Sequence, residues 1–516
     1  MTNPTLSSAR KWGTLVICCL AQLLIALDMT VLHLAIPAIS GSLKPSSTQI
    51  LWIADMYGFA LAGFLVTMGN IGDRIGRKKL LLIGSAVFGV ASVLTAYANG
   101  PEMLIGARAL LGVAGATLMP STLSLIRNVF TDPKERTGAI GAWSGVAVLG
   151  IGFGPVIAGT LLANFWWGSV FLINVPVVVV LLVAGFFVLP ESRNPNPGKL
   201  DALSVLLSVA GMLGVVYTIK EVAASGFKHT DVIAAAVIGV LSLGVFVHRQ
   251  GKLAEPLIDV KLFAQRAFSA TIGTTVVAMF VQLALSLALA QYFQLVVGWS
   301  PLKSGLAGLP GMVGALIGGT LAGVFVSKFG RRATVMLGCA LSSTGFVLLA
   351  QTPVDVNYPL LVLCVILCGF GVAMMLTVAT DTVLGVVPKE RAGAASAISE
   401  TANELGGALG IAILGSVLGA LYRTNLQLPA GLGADVTGPI KENIGAAVAT
   451  ASQLPGDLGS LIVNTARHAY VDSLGITFYV CAGLMAALAV SVWFTMRGVP
   501  KVIETDEDAV LEPVAV

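Results

Sequence analysis

The chain has 516 residues, of which 56% are hydrophobic and only 11% charged, and its mean hydropathy is +0.90. A soluble globular chain carries about 25% charged residues, so that class is excluded. The formal charge of +4 is small; its distribution along the chain is the informative part.

The chain opens with Arg10 and Lys11 ahead of a run of more than 20 apolar residues. No small-residue cleavage site follows, so this run is expected to stay as a first membrane helix. Apolar runs separated by charged, Pro or Gly breaks then predict fourteen spans, near 13–37, 49–69, 79–98, 102–124, 136–163, 167–189, 201–219, 231–248, 267–289, 303–327, 333–351, 359–385, 393–422 and 473–497. Fourteen spans of about 20 residues need about 280 apolar positions, which this composition supplies. Roughly three quarters of the 30 Lys and Arg fall on the side that holds the N-terminus, so both termini are expected to be cytoplasmic. All six cysteines lie in apolar runs, which argues for small core residues over a disulfide framework.

An internal repeat organises the spans. Pro133-Lys134-Glu135-Arg136-Thr137-Gly138-Ala139 returns as Pro388-Lys389-Glu390-Arg391-Ala392-Gly393-Ala394. Gly72-Asp73-Arg74-Ile75-Gly76-Arg77-Lys78 returns in weaker form as Val326-Ser327-Lys328-Phe329-Gly330-Arg331-Arg332 at nearly the same spacing. The expectation is an all-α membrane protein of two six-helix bundles, 1–189 and 267–499, with two inserted helices in 190–266 and an acidic cytoplasmic tail over 500–516. Such repeats place a substrate site at their interface, near the bilayer midplane. The loop 423–472 breaks the run of short connections. It predicts an extracellular helical hairpin from two amphipathic stretches, 441–453 and 457–469, acting as a lid or a lipid-facing flap.

Ionisable residues at membrane depth are costly and mark function by default. Asp28 stands about 15 residues into the first span, roughly 22 Å up a core of roughly 30 Å. Asp55 and Arg108 sit roughly 9 Å below the outer ends of their helices, near the same level. A buried Arg beside carboxylates would hold one of them ionised until the geometry changes. Glu400 and Glu404 are i, i+4 and share one helix face. Two acids on one buried face repel when both are charged, which favours uptake of a proton or a bulky cation. His33, one turn beyond Asp28, reads more readily as a packed histidine than as a relay. Asp381, close to the cytoplasmic end of its helix, reads as a capping or loop contact.

The stretch Gly69 to Lys79 is a different device. Its glycines permit a tight turn, and Asp73 and Arg77 can form ion pairs that exist in one conformation only. Gly150-Ile151-Gly152-Phe153-Gly154-Pro155-Val156-Ile157-Ala158-Gly159 combines a lost backbone donor at Pro155 with small residues such as Gly154. That suits a kinked gate helix or a close packing face. Trp52, Tyr57, Tyr292 and Phe293 are the aromatic candidates for lining a cavity.

The Gly69–Lys79 loop, Arg108 within Ala107-Arg108-Ala109-Leu110-Leu111-Gly112, and the Gly150–Gly159 run resemble the three signature motifs of the major facilitator superfamily. Leu27-Asp28-Met29-Thr30-Val31, Leu51-Trp52-Ile53-Ala54-Asp55-Met56-Tyr57 and Ala397-Ile398-Ser399-Glu400-Thr401-Ala402-Asn403-Glu404 resemble its fourteen-helix drug:proton antiporters, the QacA, SmvA and LfrA branch. The resemblance implies proton-driven export of lipophilic cations such as quaternary ammonium compounds, cationic dyes and fluoroquinolones. By it, Asp28, Arg108 and Glu404 would couple the proton. Asp28, Asp55, Glu400, Glu404, Trp52 and Tyr57 would meet substrate, and Gly69, Asp73, Arg77, Gly154 and Pro155 would gate. The span 303–327 contains no acid where QacA carries one, so divalent cations are not implied.

Exchange of one proton for one monovalent cation moves no net charge and is driven by the pH gradient alone, about 1.4 kcal/mol per unit. A second titrating acid would add the membrane potential, about 2.3 kcal/mol per 100 mV. Small lipophilic cations, protons and membrane lipids are therefore the expected partners of a monomer in the bacterial cytoplasmic membrane. No cofactor, metal or nucleic acid is called for. An exporter of an endogenous metabolite, lipid or self-made antibiotic would share these motifs. An ATP-driven pump or membrane enzyme is disfavoured, since no Gly-x-x-x-x-Gly-Lys-[Ser/Thr] occurs and the four histidines are scattered.

Overall fold

A computed structural model describes residues 7–45, 47–194, 201–225, 230–253, 256–354, 356–388, 391–429 and 432–497. The acidic tail beyond Pro500, Lys389 and Glu390 of the second repeat loop, and the side chains of His33 and Pro155 lie outside the described residues.

Apolar composition forces every backbone polar group to be satisfied within its own segment, and helices are the solution. The first half is built from α1 (Ser8–Leu43), α2 (Ser47–Ile75), α3 (Arg77–Ala96), α4 (Pro101–Val129), α5 (Pro133–Asn164), α6 (Ser169–Leu172) and α7 (Asn174–Val188). Two helices follow, α8 (Ala202–Ser225) and α9 (Thr230–Gln250). The second half holds α10 (Arg266–Gln291), α11 (Pro301–Phe329), α12 (Arg331–Leu349), α13 (Tyr358–Val386) and α14 (Ala392–Asn425). It closes with α15 (Ala434–Glu442), α16 (Ile444–Ala451) and α17 (Gly456–Thr495). Among the described residues fourteen spans are long and apolar enough to cross a membrane, the number expected, with α6 and α7 sharing the sixth. Below, the end of the molecule that bears Ser8 is the N-side, and the opposite end the far side.

The helices start where local chemistry tells them to. Asp132 accepts from the Glu135 amide with Pro133 in the first turn of α5, and Ser300 and Asn357 do the same for α11 and α13, each followed by a proline. The two repeat-related loops turn on equivalent glycines, Gly76 at φ 109° and Gly330 at φ 83°. A side chain is strained at either position, so the repeat preserves a backbone as well as a sequence.

The largest buried cluster is drawn from residues 278–496, and a second mostly from residues 15–189. A small apolar cluster joins α8 to α2 through Phe59, Ala62, Met212 and Val216, with Leu405 of α14 against it. The inserted pair therefore lies along the seam between α2 and α14. Its N-side end is tied down by Asp201, whose carboxylate accepts from Arg249 Nε at 2.7 Å and Nη2 at 3.0 Å. The Arg249 guanidinium, aided by Ser204, holds this half-buried carboxyl well below the usual range.

One expectation about the far side is corrected. The stretch 457–469 is not the second arm of a hairpin: it is the beginning of α17, a single helix of 40 residues that continues into the last span. Only α15 and α16 are separate short helices, and they pack on the second half through Ile440, Ile444, Ala447 and Ala451. Tyr422 donates to the Ile440 carbonyl at 3.1 Å and Tyr470 to that of Ala288 at 3.0 Å. Ile440, Ile444 and Ala447 are part of the second half's core. The region is a packed cap.

Candidate functional site

Asp28 lies in the middle of α1 with no exposed surface. Its carboxylate accepts from Arg108 Nη1 of α4 at 2.7 Å and from Asn174 Nδ2, the first residue of α7, at 3.1 Å. Asn174 also donates to Ser92 Oγ of α3 at 3.1 Å. Arg108 sends Nε to the Ile53 carbonyl of α2 at 3.4 Å and lays its guanidinium over the Tyr57 ring, 4.8 Å from its centre. Five helices of the first half thus converge on one buried ion pair. α5 closes the wall, because Gly150 and Gly154 let it approach α1 on either side of Asp28: a Cβ on Gly150 would fall 2.7 Å from that of Ala26, and one on Gly154 would strike Thr30. A carboxylate and a guanidinium out of water need this partner set, since the desolvation cost of each ion is several kcal/mol.

The second acid site is built differently. Glu400 on α14 is also buried, at 4% exposure. Its Oε2 accepts from Asn403 Nδ2 at 3.2 Å, one turn away on the same helix. Its Oε1 has no hydrogen-bond partner, and the same holds for Ser399 Oγ, Thr401 Oγ1 and Asn403 Oδ1 around it. Among the described residues no ion pair involves Glu400. Glu404, one turn further on, is half-buried. Two oxygens that can only accept, Glu400 Oε1 and Asn403 Oδ1, thus lie beside two unpartnered hydroxyls, a set able to receive a cation or a proton.

The aromatic candidates have different surroundings. Tyr57, 2% exposed, is the floor under Arg108. Trp52 is half-buried and stacks on Tyr217 of the inserted helix α8, with centroids 6.1 Å apart. Tyr292 and Phe293 are buried in a π-helical turn, Tyr292–Val296, at the far end of α10. Their rings pack within the second half's core, so the expectation that they line a cavity is not met. Asp55 is half-buried on α2, two residues beyond the carbonyl that Arg108 reaches.

The halves are clamped together at the N-side by three sets of contacts. Asp73 near the end of α2 accepts from Arg77, the first residue of α3, at 2.7 Å from Nη2, and from the backbone amides of Gly393 and Ala394 at the start of α14, at 3.0 and 3.2 Å. A helix N-terminus is a natural seat for a carboxylate. Gly69 permits the approach, because a Cβ there would fall 2.5 Å from the Gly393 carbonyl oxygen. Arg127 of α4 donates to the carbonyls of Val387 and Pro388. The third set corrects a prediction: Asp381 is no capping residue but a wholly buried bridge. It accepts from Arg136 Nε and Thr137 Oγ1 of α5, at 2.6 and 3.0 Å, and from Arg331 Nη2 of α12 at 2.6 Å. Sequence reasoning passed over Arg136, Arg331, Asn174 and Ser92. Arg136 and Arg331 stood inside the repeated loops, which was the available signal. Asn174 is a polar interruption in an apolar run, visible only once uncharged residues are searched as well.

A fourteen-span fold of two half-molecules clamped at one end, with buried ionisable groups inside, is that of a membrane transporter. The Major Facilitator Superfamily family model matches residues 18–411, and the chain belongs to that superfamily. It is 41% identical over 495 residues to the multidrug efflux pump LfrA of Mycolicibacterium smegmatis, covering 96% of this chain and 98% of that protein. It is 37% identical over 488 residues to the methyl viologen resistance protein SmvA of Salmonella typhimurium, covering 94% and 98%. Among solved structures, a double-tryptophan variant of XylE shares the fold, with a TM-score of 0.64 at 14% identity over 98% of this chain and all of that one. The protein is thus a multi-pass protein of the bacterial cytoplasmic membrane.

Proposed function

We propose that this protein exports lipophilic cationic drugs and biocides from the cytoplasm in exchange for protons. The N-side is then cytoplasmic, and the structure represents an outward-facing state with its cytoplasmic gate shut. The halves 1–189 and 267–499 move against each other, with 190–266 riding on the seam. The observation that carries the reading is Glu400 Oε1, a buried carboxylate oxygen without a donor at the interface helix α14. Such an atom calls for a cation or a proton, and the two compete for it.

Asp28 takes the proton from outside. While it is charged, Arg108 holds it. Once it is neutral, the guanidinium loses its counterion and the first half is released to rearrange. Glu400 and Glu404 receive the cation from the cytoplasm, with Asp55, Trp52 and Tyr57 shaping the first half's side of the path. Asp73, Arg77 and Gly69, together with the Gly154–Pro155 stretch that packs on α1, set when the cytoplasmic end opens. The similarity to LfrA and SmvA supports the drug class. The test is ethidium efflux from a pump-deleted host with and without the gene. A protonophore should abolish it, and efflux that survives the protonophore would rule out proton coupling.

A further inference from the structure

Outside the transport path, the N-side ends of α3 and α7 enclose a shallow apolar groove of about 450 Å³ on the outer surface. It is lined by Leu82, Leu182, Val183, Phe186 and Phe187. Val183, Phe186 and Phe187 are 58%, 63% and 74% exposed, so the groove opens to the membrane, not to the protein interior. Two cations stand at its N-side mouth, and a third follows one of them in sequence. Lys78 Nζ donates to the Phe186 carbonyl at 2.6 Å and lies 5.4 Å over the Phe186 ring. Arg10 Nε donates to the Val188 carbonyl at 2.9 Å. Lys79 is exposed beside them.

The plain purpose of Lys78 and Arg10 is to cap the last carbonyls of α7, which have no partner within the helix. A carbonyl does not cancel a charge, however. Among the described residues none of the three cations is paired with a carboxylate. The nearby Glu191 carboxylate lies against Gly76, where a Cβ would fall 2.4 Å from its Oε1, and that oxygen accepts from the Ser192 amide at 3.0 Å. Lys78 and Leu82 are i, i+4 on one face of α3, and the ammonium, 5.4 Å from the centre of the Phe186 ring, stands at the mouth of the groove which that ring lines. That is the arrangement of a phosphate and the first methylenes of its acyl chain.

We infer that this groove is a binding site for an anionic phospholipid, with one acyl chain against Val183, Phe186 and Phe187 and the phosphate among Lys78, Lys79 and Arg10. Basic clusters at the ends of spanning helices favour anionic headgroups in this way, and the apolar trough adds the depth that a free phosphate cannot use.

The experiment is native mass spectrometry of the full chain released from nanodiscs holding equal phosphatidylglycerol and phosphatidylcholine. Wild type should retain phosphatidylglycerol well in excess of phosphatidylcholine. Lys78→Gln with Lys79→Gln should cut that excess by roughly tenfold, and Val183→Trp, which fills the trough and leaves the charges, should lower retention of the lipid itself. Equal retention of the two lipids by wild type, or an excess that both variants keep, overturns the site. Displacement of the lipid by millimolar glycerol phosphate reduces it to a phosphate site and overturns the lipid assignment. A dimer that Val183→Trp dissociates gives the groove to a second copy of the chain and does the same.

Discussion

Asp28 and Glu400 are both buried carboxylates in spanning helices, yet their surroundings are opposite. Asp28 has a guanidinium and an amide on its oxygens, drawn from two other helices. Glu400 has one amide from its own helix, and an oxygen with nothing. A carboxylate held by donors from other helices is tied to the packing around it, so altering its charge unsettles everything attached to it. A carboxylate without them is stable only when something else arrives. The first suits a switch inside one half; the second suits a receptor between the halves.

The sharpest way to break this contrast is to neutralise each acid in turn. Asp28→Asn removes the switch, and ethidium efflux should fall to the level of cells without the gene while the protein is still found in the membrane. Full transport in proton-loaded vesicles would end Asp28's assigned part. The partner carries the next largest effect. Arg108→Gln strands a buried carboxylate, and loss of one member of such a pair costs about 3–5 kcal/mol. Thermal unfolding of the purified protein should show that loss. Asp28→Asn combined with Arg108→Gln should regain most of the stability and none of the transport, which a double-mutant cycle reads directly.

Glu400→Gln should behave the other way. It removes no ion pair, so stability should hold or rise, while the apparent affinity for a monovalent lipophilic cation drops by roughly tenfold, or about 1.4 kcal/mol. A destabilised Glu400→Gln with unchanged affinity would make the two acids alike and dissolve the comparison.

How far the sequence foretold all this depends on which physical quantity decides each feature. Span number is a matter of hydropathy and length, and all fourteen were legible. The start of α17 was not, because polarity ends a membrane span without ending a helix, and 457–469 contains no proline before the apolar run resumes. Depth counted along one helix placed Asp28 and Arg108 at a common level, and their side chains meet at 2.7 Å. The same count put Asp381 at an edge. Its burial comes from α5 of the other half, whose Arg136 is 245 residues away in sequence, and no count along α13 contains that. Trp52 and Tyr57 read as cavity candidates from their aromatic character alone. What each ring faces depends on α8 and on Arg108, which sit elsewhere in the chain.

Asn174 supplies the smallest test, and one that separates position from charge. It touches Asp28 and Ser92 alone among the polar groups around it, and α7 starts at this residue after the break that follows α6. Asn174→Ala leaves the Arg108 pair in place but frees one buried carboxylate oxygen, at a cost of about 1–3 kcal/mol. If the amide only fills space, the pH dependence of efflux should be unchanged and only the unfolding temperature should fall. If it helps to keep Asp28 charged, its loss makes protonation easier, so the external pH at which efflux is half-maximal should move upward. Measuring initial ethidium efflux in vesicles across external pH decides it, with Glu400→Gln as the control whose profile Asn174 has no means to alter. A shift confined to Asn174→Ala would tie the proton to the first half, and a shift in neither would return Asn174 to the role of a helix-start residue.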